Sequence, residues 1–127
     1  MRALIKILIF LIVSCQKIEE PSQEFDKFFG IKTLLSNGYF YIKGYLNEGD
    51  TIYAGFYTSS SNGIKFFIVD KENYDKWQNG ESVNYLIIYE NINEIDVKFP
   101  VFQRKEYYVV IQNGQNPQKF FIRIKKL

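Results

Sequence analysis

Short stretches of alternating apolar and polar residues, separated by turn-forming residues, occupy most of the chain after residue 30. Such stretches are typical of β-strands that have one buried face and one solvated face. The pattern predicts seven or eight strands, at residues 31–35, 39–47, 51–58, 64–69, 82–89, 94–99, 107–113 and 119–125. Short strands at this spacing favour an all-β fold, an antiparallel β-sandwich of the Ig-like or jelly-roll-like type.

The same alternation predicts which side chains face the core. It points these side chains inward: Phe40, Ile42, Leu46, Ile52, Ala54, Phe56, Ile95, Val97, Phe99, Phe120, Ile122 and Ile124. The tyrosines of strands 39–47 and 51–58 fall on the opposite phase, at Tyr39, Tyr41, Tyr45, Tyr53 and Tyr57. If these two strands pair, the five tyrosines share one surface. The alternative is that they are cross-strand aromatic pairs that stabilise the sheet, or that their face is partly buried.

Turn-forming residues mark the connections between the strands. Asn37 and Gly38 predict a β-hairpin between the first two strands. Residues 48–50 and 59–63 predict turns before strands 51–58 and 64–69. The start of the domain has two interpretations. Ser22 is able to cap a short helix that ends near Gly30, whereas residues 25–35 also suit a first strand.

The longest interruption between predicted strands is residues 70–81, which contain the single tryptophan, Trp77. Long connections at the end of a rigid sandwich often carry recognition residues, and Trp and Tyr provide large contact areas. One hypothesis is therefore that Tyr74 and Trp77 bind a partner together with the face that carries Tyr53 and Tyr57. The alternative is that Trp77 closes the open end of the core.

Carboxylates suited to catalysis or metal binding are sparse. The densest acidic cluster contains Asp70, Glu72 and Asp75, and it lies in a connection rather than on converging strands. A carboxylate-based hydrolase such as a glycosidase needs two carboxylates that face each other across a cleft. The cluster also resembles a calcium loop, but Tyr74 and Lys76 stand where an EF-hand has a ligand and a glycine. A solvated connection with a single helical turn is the alternative to a calcium site.

Composition excludes several kinds of chemistry. The chain has no histidine, which rules out Ser-His-Asp and Cys-His catalysis and histidine metal ligands. It has neither a glycine-rich phosphate loop nor a nucleotide-binding fingerprint, and we expect no cofactor. With a single cysteine there is no disulfide pair, so packing of its many aromatic side chains must stabilise the fold. We therefore predict a protein that is not an enzyme.

The first 15 residues have the layout of a secretory signal. Arg2 and Lys6 precede an unbroken apolar run at residues 7–13, and the small residue Ser14 comes directly before Cys15. The run is too short to span a membrane, which takes about 20 apolar residues. Loss of residues 1–14 leaves 14 of the 16 basic residues against 14 acidic ones. The charge of the mature chain therefore gives no reason to expect nucleic-acid binding.

Residues Ile12, Val13, Ser14 and Cys15 resemble the lipobox of bacterial lipoproteins, in which an aliphatic residue and a small residue precede an invariant cysteine. The resemblance implies that the Cys15 thiol takes a diacylglyceryl group and that a peptidase then removes residues 1–14. A thiolate is a good nucleophile for that step, and two or three acyl chains hold a protein firmly at a membrane. The alternative is that Cys15 is an ordinary buried cysteine.

The resemblance to a lipobox predicts three parts of the chain. We expect residues 1–14 to be a signal peptide, residues 15–24 to be the lipidated cysteine and a polar tether that contains Pro21, and residues 25–127 to be the sandwich domain. The expected location is the membrane surface of the bacterial cell envelope. In a Gram-negative bacterium this is the outer membrane, on its periplasmic or its surface-exposed side.

Residues 49–52, 67–70, 73–74 and 107–113 resemble the small extracytoplasmic sandwiches of the GOLD and bacterial pre-peptidase C-terminal families. In those families a Gly-Asp turn precedes one strand and a strand that begins with two tyrosines ends in Asn, as Gly49, Asp50, Tyr107, Tyr108 and Asn113 do here. The resemblance implies a binding or assembly accessory. We therefore expect a lipid-anchored module for a protein or glycan partner. A structural accessory subunit of an envelope complex is the alternative, and a hydrolase is the third interpretation.

Overall fold

The computed structural model describes residues 27–127, which form eight strands and one helix. They are β1 (Lys27–Leu34), β2 (Tyr39–Leu46), β3 (Thr51–Tyr57), β4 (Lys65–Asp70), α1 (Lys71–Gln78), β5 (Ile87–Glu90), β6 (Glu94–Pro100), β7 (Lys105–Gln112) and β8 (Gln118–Lys126). The strands form two antiparallel sheets. The front sheet has the order β1-β8-β3-β6, and the back sheet has the order β2-β7-β4-β5. The predicted antiparallel β-sandwich is confirmed.

Strands that follow each other along the chain usually lie in different sheets. Among the eight strands described here, only β4 and β5 are both consecutive and paired. Every other connection between consecutive strands crosses from one sheet to the other, as in the jelly-roll type of sandwich. The pairing of β1 with β8 brings the two termini of the domain to the same end, because Lys27 lies opposite Lys125.

The predicted hairpin at Asn37 and Gly38 is wrong, because β1 pairs with β8 and β2 pairs with β7. The turn residues form an arch between the sheets instead. Asn37 takes the left-handed conformation, with φ of 60°, and its N–H donates to the Gly114 carbonyl at 2.8 Å. The N–H of Asn113 donates to the Gly38 carbonyl at 2.8 Å. The local turn signal is real, but contacts with the distant β7–β8 connection decide the direction of the chain.

The main core lies between the two sheets, as the alternation predicts. Phe56 of the front sheet contacts Phe66 of the back sheet, with ring centroids 6.0 Å apart. The inward residues of the predicted strands are buried or pack against this core. Burial of these side chains away from water makes the largest favourable contribution to the stability of such a sandwich.

Residues 70–90 differ from the prediction. Helix α1 has eight residues, rather than the single turn of a solvated connection, and the predicted strand 82–89 is reduced to Ile87–Glu90. Asp70 caps the start of the helix, where its side chain accepts a hydrogen bond from the Asn73 N–H at 3.0 Å, and Gly80, with φ of 73°, follows the end of the helix. These are favourable residues for the two ends of a helix.

The first strand includes Gly30, so residues 27–30 are strand and not the end of a helix capped by Ser22. Ser22 itself lies outside the described residues, as do the predicted signal peptide, Cys15 and the tether. Within residues 27–127 the one helix is too short and too polar to cross a bilayer.

Candidate functional site

The outer face of the back sheet is covered by the chain itself. Helix α1 packs over β4 and β7, and the segment 79–86 continues the cover. This segment is held to the sheet by the Leu86 N–H, which donates to the Ile68 carbonyl at 2.9 Å. Beneath the cover lies a second buried cluster made of Phe67, Val69, Tyr108 and Val110. This face is therefore a packed layer rather than an open surface.

Trp77 belongs to this layer. Its ring meets Phe67 and Tyr39 edge to face, with centroid distances of 5.1 and 5.0 Å. The side chain is half-buried on the outer face of the back sheet. The prediction that Trp77 closes the open end of the core is therefore wrong, because the main core lies on the other side of this sheet.

Tyr74 packs in the same layer. Its ring stacks on Tyr108 with centroids 4.0 Å apart and an angle of 13° between the planes. Burial raises the pKa of both hydroxyls, to about 12 for Tyr108, where the negative charge of Glu106 adds to the effect. Gln78 Nε2 donates to the Tyr74 hydroxyl at 2.9 Å and to the Tyr39 hydroxyl at 2.8 Å. Both rings thus stay neutral at physiological pH, as their packing requires.

The structure does not bring the three carboxylates of the calcium alternative together, because each of them pairs with a lysine. The pairs are Asp70–Lys105 at 3.1 Å, Asp75–Lys71 at 3.0 Å and Glu72–Lys76 at 3.7 Å. Within residues 27–127 no three acidic, cysteine or histidine side chains lie close enough together to hold a metal ion.

Asp70 has a structural task at the start of α1. One carboxylate oxygen accepts from the backbone N–H and the side-chain amide of Asn73, at 3.0 and 2.9 Å. Partial burial by itself raises the pKa of Asp70, but these hydrogen bonds and the charge of Lys105 outweigh burial and lower the pKa below its usual value. The carboxylate is therefore charged at neutral pH and serves as the helix cap.

The outer face of the front sheet carries an apolar cluster that no part of residues 27–127 covers. Cross-strand pairing aligns Ile31 of β1 with Phe121 of β8, and Phe121 with Tyr57 of β3. Phe29 lies two residues before Ile31 on the same face. These side chains are between 43% and 57% exposed, and we call the four together the front patch: Phe29, Ile31, Tyr57 and Phe121.

An ion pair lies beside the front patch, across the middle of the sheet. Arg123 of β8 contacts Asp96 of β6 at 2.7 Å, although β3 separates the two strands. The bridge passes over Gly55, which pairs with both residues in the cross-strand register. A Cβ atom at Gly55 would collide with Asp96 Oδ1, so a larger residue there displaces the carboxylate.

A row of basic side chains lies on the same face, on the side of the ion pair that is away from Ile31. Lys27, Lys125, Tyr53 and Lys98 lie side by side across β1, β8, β3 and β6. The ammonium groups of Lys125 and Lys98 lie 5.7 and 5.9 Å from the centre of the Tyr53 ring. The ring of Tyr53 therefore serves as a platform for two cations, at distances where cation–π attraction acts.

The four residues of the predicted binding surface, three tyrosines and one tryptophan, lie on two different sheets. Tyr53 and Tyr57 lie on the front sheet, whereas Tyr74 and Trp77 lie over the back sheet. A single recognition surface that joins them is therefore wrong. The same holds for the five tyrosines of strands 39–47 and 51–58, because β2 and β3 lie in different sheets.

The alternation of residues predicts that Tyr57 faces outward, but it does not predict the three other residues of the front patch. Phe121 lies between Lys119 and Arg123 on the polar phase of β8, and an aromatic residue at such a position is a visible break in the alternation. Phe29 and Ile31 give no comparable signal, because the pattern before residue 31 left the choice between helix and strand open.

The comparisons with known proteins extend only to the fold. No family model matches the chain, and no curated protein matches it. Solved structures do match. One is the pre-peptidase C-terminal domain of a Bacillus anthracis collagenase, with a TM-score of 0.57 and 12% identity over 88% of this chain and 99% of that one. These matches show the fold. At this level the resemblance to pre-peptidase C-terminal domains is confirmed.

Two further solved structures have the same architecture. PliG from Aeromonas hydrophila, a periplasmic inhibitor of g-type lysozyme, matches with a TM-score of 0.54 and 6% identity over 86% of this chain and 93% of that one. The Yersinia pseudotuberculosis-derived mitogen matches with a TM-score of 0.52 and 10% identity over 79% of this chain and 85% of that one. With identities this low, the sites and partners of these proteins do not carry over to this chain.

Proposed function

We propose that this protein is a lipid-anchored, non-catalytic binding module of the bacterial cell envelope, and that it captures a protein partner through the front patch. The observation that carries the proposal is the difference between the two outer faces of the sandwich. Both faces have apolar side chains, but α1 covers those of the back sheet, whereas no part of residues 27–127 covers those of the front sheet.

The composition of the front face favours a protein over a small ligand. Its apolar residues come from three neighbouring strands and form a broad surface rather than a pocket. The Arg123–Asp96 ion pair lies next to them on the same face. Apolar side chains with charged groups at their border are usual in protein–protein interfaces.

The anchor is proposed from the residues that precede the described domain. Residues 12–15 match a lipobox, and the 12 residues from Cys15 to Asp26 connect the lipid to β1. A chain of that length extends at most about 40 Å. The anchor would therefore keep the domain at the membrane surface and raise its effective concentration for partners in the same envelope.

The chemistry of the domain supports a binding role without catalysis. The sequence has no histidine, and the carboxylates of its densest acidic cluster are engaged in the cap and the ion pairs of α1. The lysozyme inhibitor PliG provides a precedent for a non-catalytic role on this architecture, although the likeness itself extends only to the fold.

Photo-crosslinking from the two faces tests the proposed binding surface. A photoreactive phenylalanine analogue in place of Tyr57 should give a protein adduct in intact cells. The same analogue in place of Glu72, which is exposed on α1, should give no adduct. Adding Ile31→Asp to the Tyr57 variant should abolish the adduct, because a carboxylate in the apolar centre is costly to desolvate.

Three results would contradict the proposal. The first is an adduct from position 72 that equals the adduct from position 57, since the binding surface would then not be the front sheet. The second is an adduct at position 57 that contains glycan and no protein. The third is an adduct from position 57 to residues 15–26 of the same chain, which would show that the tether covers the front patch.

A further inference from the structure

One end of the sandwich differs from the other in charge. We call it the tether end, because β1 begins there and the preceding chain arrives there. In the register of the sheets it also contains the turn at residues 47–50, the connection at residues 101–104 and the end of β8. The connections at the opposite end, residues 35–38, 58–64, 91–93 and 113–117, have no charged residue, and the charged strand residues next to them are two bases and two acids, Lys65, Lys119, Glu90 and Glu94.

The connection at residues 101–104 presents an aromatic side chain to solvent. Phe102 is 74% exposed, and Tyr45 and Leu127 are also exposed at this end. The connection is well held. The N–H of Val101 donates to the Asp50 carbonyl at 2.8 Å, and Arg104 Nε donates to Asn47 Oδ1 at 2.9 Å. Phe102 is therefore held in an exposed position, and no part of the described domain covers most of its side chain.

Basic side chains surround these apolar groups. Six lie at the tether end: Lys27, Lys98, Arg104, Lys105, Lys125 and Lys126. Four carboxylates lie there as well: Glu48, Asp50, Asp70 and Glu106. Asp70 forms an ion pair with Lys105, and Asp50 accepts from the Asn47 N–H at 2.8 Å. Both carboxylates therefore already have a partner within the domain. Among the side chains just named, six are basic and four are acidic, although the chain from Cys15 onward has equal numbers of basic and acidic side chains.

The length of the tether limits the distance between this end and the membrane. The 12 residues from Cys15 to Asp26 extend at most about 40 Å, and the described domain begins at Lys27. The tether end is therefore the part of the domain that the shortest stretch of chain joins to the lipid. Aromatic side chains favour the headgroup region of a bilayer, and lysines are attracted to anionic headgroups.

We propose that the tether end is a membrane-contact surface, which places Phe102 in the headgroup region and the surrounding lysines and Arg104 against anionic phospholipid. The proposal rests on the proposed anchor at Cys15. Contact at this end holds the sandwich upright on the membrane and leaves the front patch facing sideways, accessible to a partner in the same envelope. The anchor supplies attachment, and the tether end supplies orientation.

Fluorescence quenching by lipid tests this orientation with the complete mature lipoprotein. Once Cys15 carries lipid, a new cysteine is the single thiol of the chain, so Gln103→Cys or Ser36→Cys takes an environment-sensitive fluorophore at one end of the sandwich. Each protein is reconstituted into vesicles of phosphatidylethanolamine and phosphatidylglycerol that contain spin-labelled phospholipid. We expect quenching several-fold greater at position 103 than at position 36. Phe102→Ser, the double change Lys125→Glu and Lys126→Glu, and vesicles of phosphatidylcholine alone should each reduce it.

The outcomes separate the anchor from the orientation. Protein that floats with the vesicles but is quenched equally at positions 103 and 36 retains the anchor and overturns the orientation. Quenching at position 103 that is unaffected by the substitutions at residues 102, 125 and 126 also overturns the proposal. Protein that does not float with vesicles shows that the anchor is wrong, and the orientation is then wrong with it.

Discussion

Replacing Asn113 with Ala is expected to lower the free energy of unfolding by about 3 to 4 kcal/mol, because several buried polar groups lose their partner at once. The side chain is 2% exposed at the end of β7. Its Nδ2 lies 3.0, 3.1 and 2.9 Å from the carbonyls of Leu34, Leu35 and Asn116. Its Oδ1 accepts from the Gly114 N–H and from Gln118 Nε2.

This network joins connections that are far apart in the chain. Asn113 ties the β1–β2 arch to the β7–β8 connection, and Gln118 continues the network to the backbone of Ser60 between β3 and β4. A single amide therefore holds together three crossings between the sheets. The cost of losing it is larger than that of one exposed hydrogen bond, because water does not reach the orphaned groups freely.

Denaturant unfolding of the two proteins measures the effect. Asn116→Ala is the matched control, because Asn116 is exposed and contributes only its carbonyl, so its loss should stay within about 0.5 kcal/mol. Asn113→Asp should also destabilise the protein, since a carboxylate accepts but does not donate. A loss below about 1 kcal/mol for Asn113→Ala would show that the network does not stabilise the fold.

Replacing Trp77 with Ala is expected to lower the free energy of unfolding by about 3 kcal/mol. The photo-crosslink to a partner from position 57 should still form under conditions where the Trp77→Ala protein is folded. Loss of a packed tryptophan leaves its neighbours without contacts. Here they are Phe67, Tyr39 and Tyr74, with the ring of Tyr74 5.8 Å away. The value is at the lower end of the range for tryptophan because the side chain is half-buried.

Thermal unfolding of Trp77→Ala beside Tyr45→Ala provides the measurement and its control. Tyr45 lies on the same outer face but is mostly exposed, so its replacement should change stability by less than about 1 kcal/mol. If the Trp77→Ala protein has unchanged stability and gives no adduct from position 57, then Trp77 belongs to the binding surface. This result would also show that the layer of α1 is not a structural cover.

The alternation of residues predicts which side chains of each strand face the core, but it does not predict which strands pair with each other. The inward positions of β3 and β8, such as Phe56 and Phe120, were predictable because period two is a local property. The pairing of β1 with β8 was not predictable, because the two strands are far apart along the chain and their contact depends on how all eight strands pack. The local signal at Asn37 and Gly38 even favoured a hairpin, which the network of Asn113 overrides.

The binding surface was predictable in part for the same reason. Tyr57 was found from its phase in β3, but the front patch depends on β1, β8 and β3 being neighbours. The sequence shows Trp77 as a large side chain in a long connection, but it does not show what the ring contacts. Its position over Phe67 is a consequence of the eight-residue helix that Asp70 caps. A connection that is apolar on one side more often covers a sheet than reaches for a partner.

The position of the domain and the orientation of its tether end both depend on attachment through Cys15. Metabolic labelling with palmitate measures this attachment directly. We expect label in the wild-type protein and in Ser14→Ala, which keeps a small residue before the cysteine, with a mature chain that begins at residue 15. We expect Cys15→Ala to stay unlabelled and uncleaved. Label in Cys15→Ala, or a wild-type protein that is exported without label, would show that the domain is not anchored through Cys15.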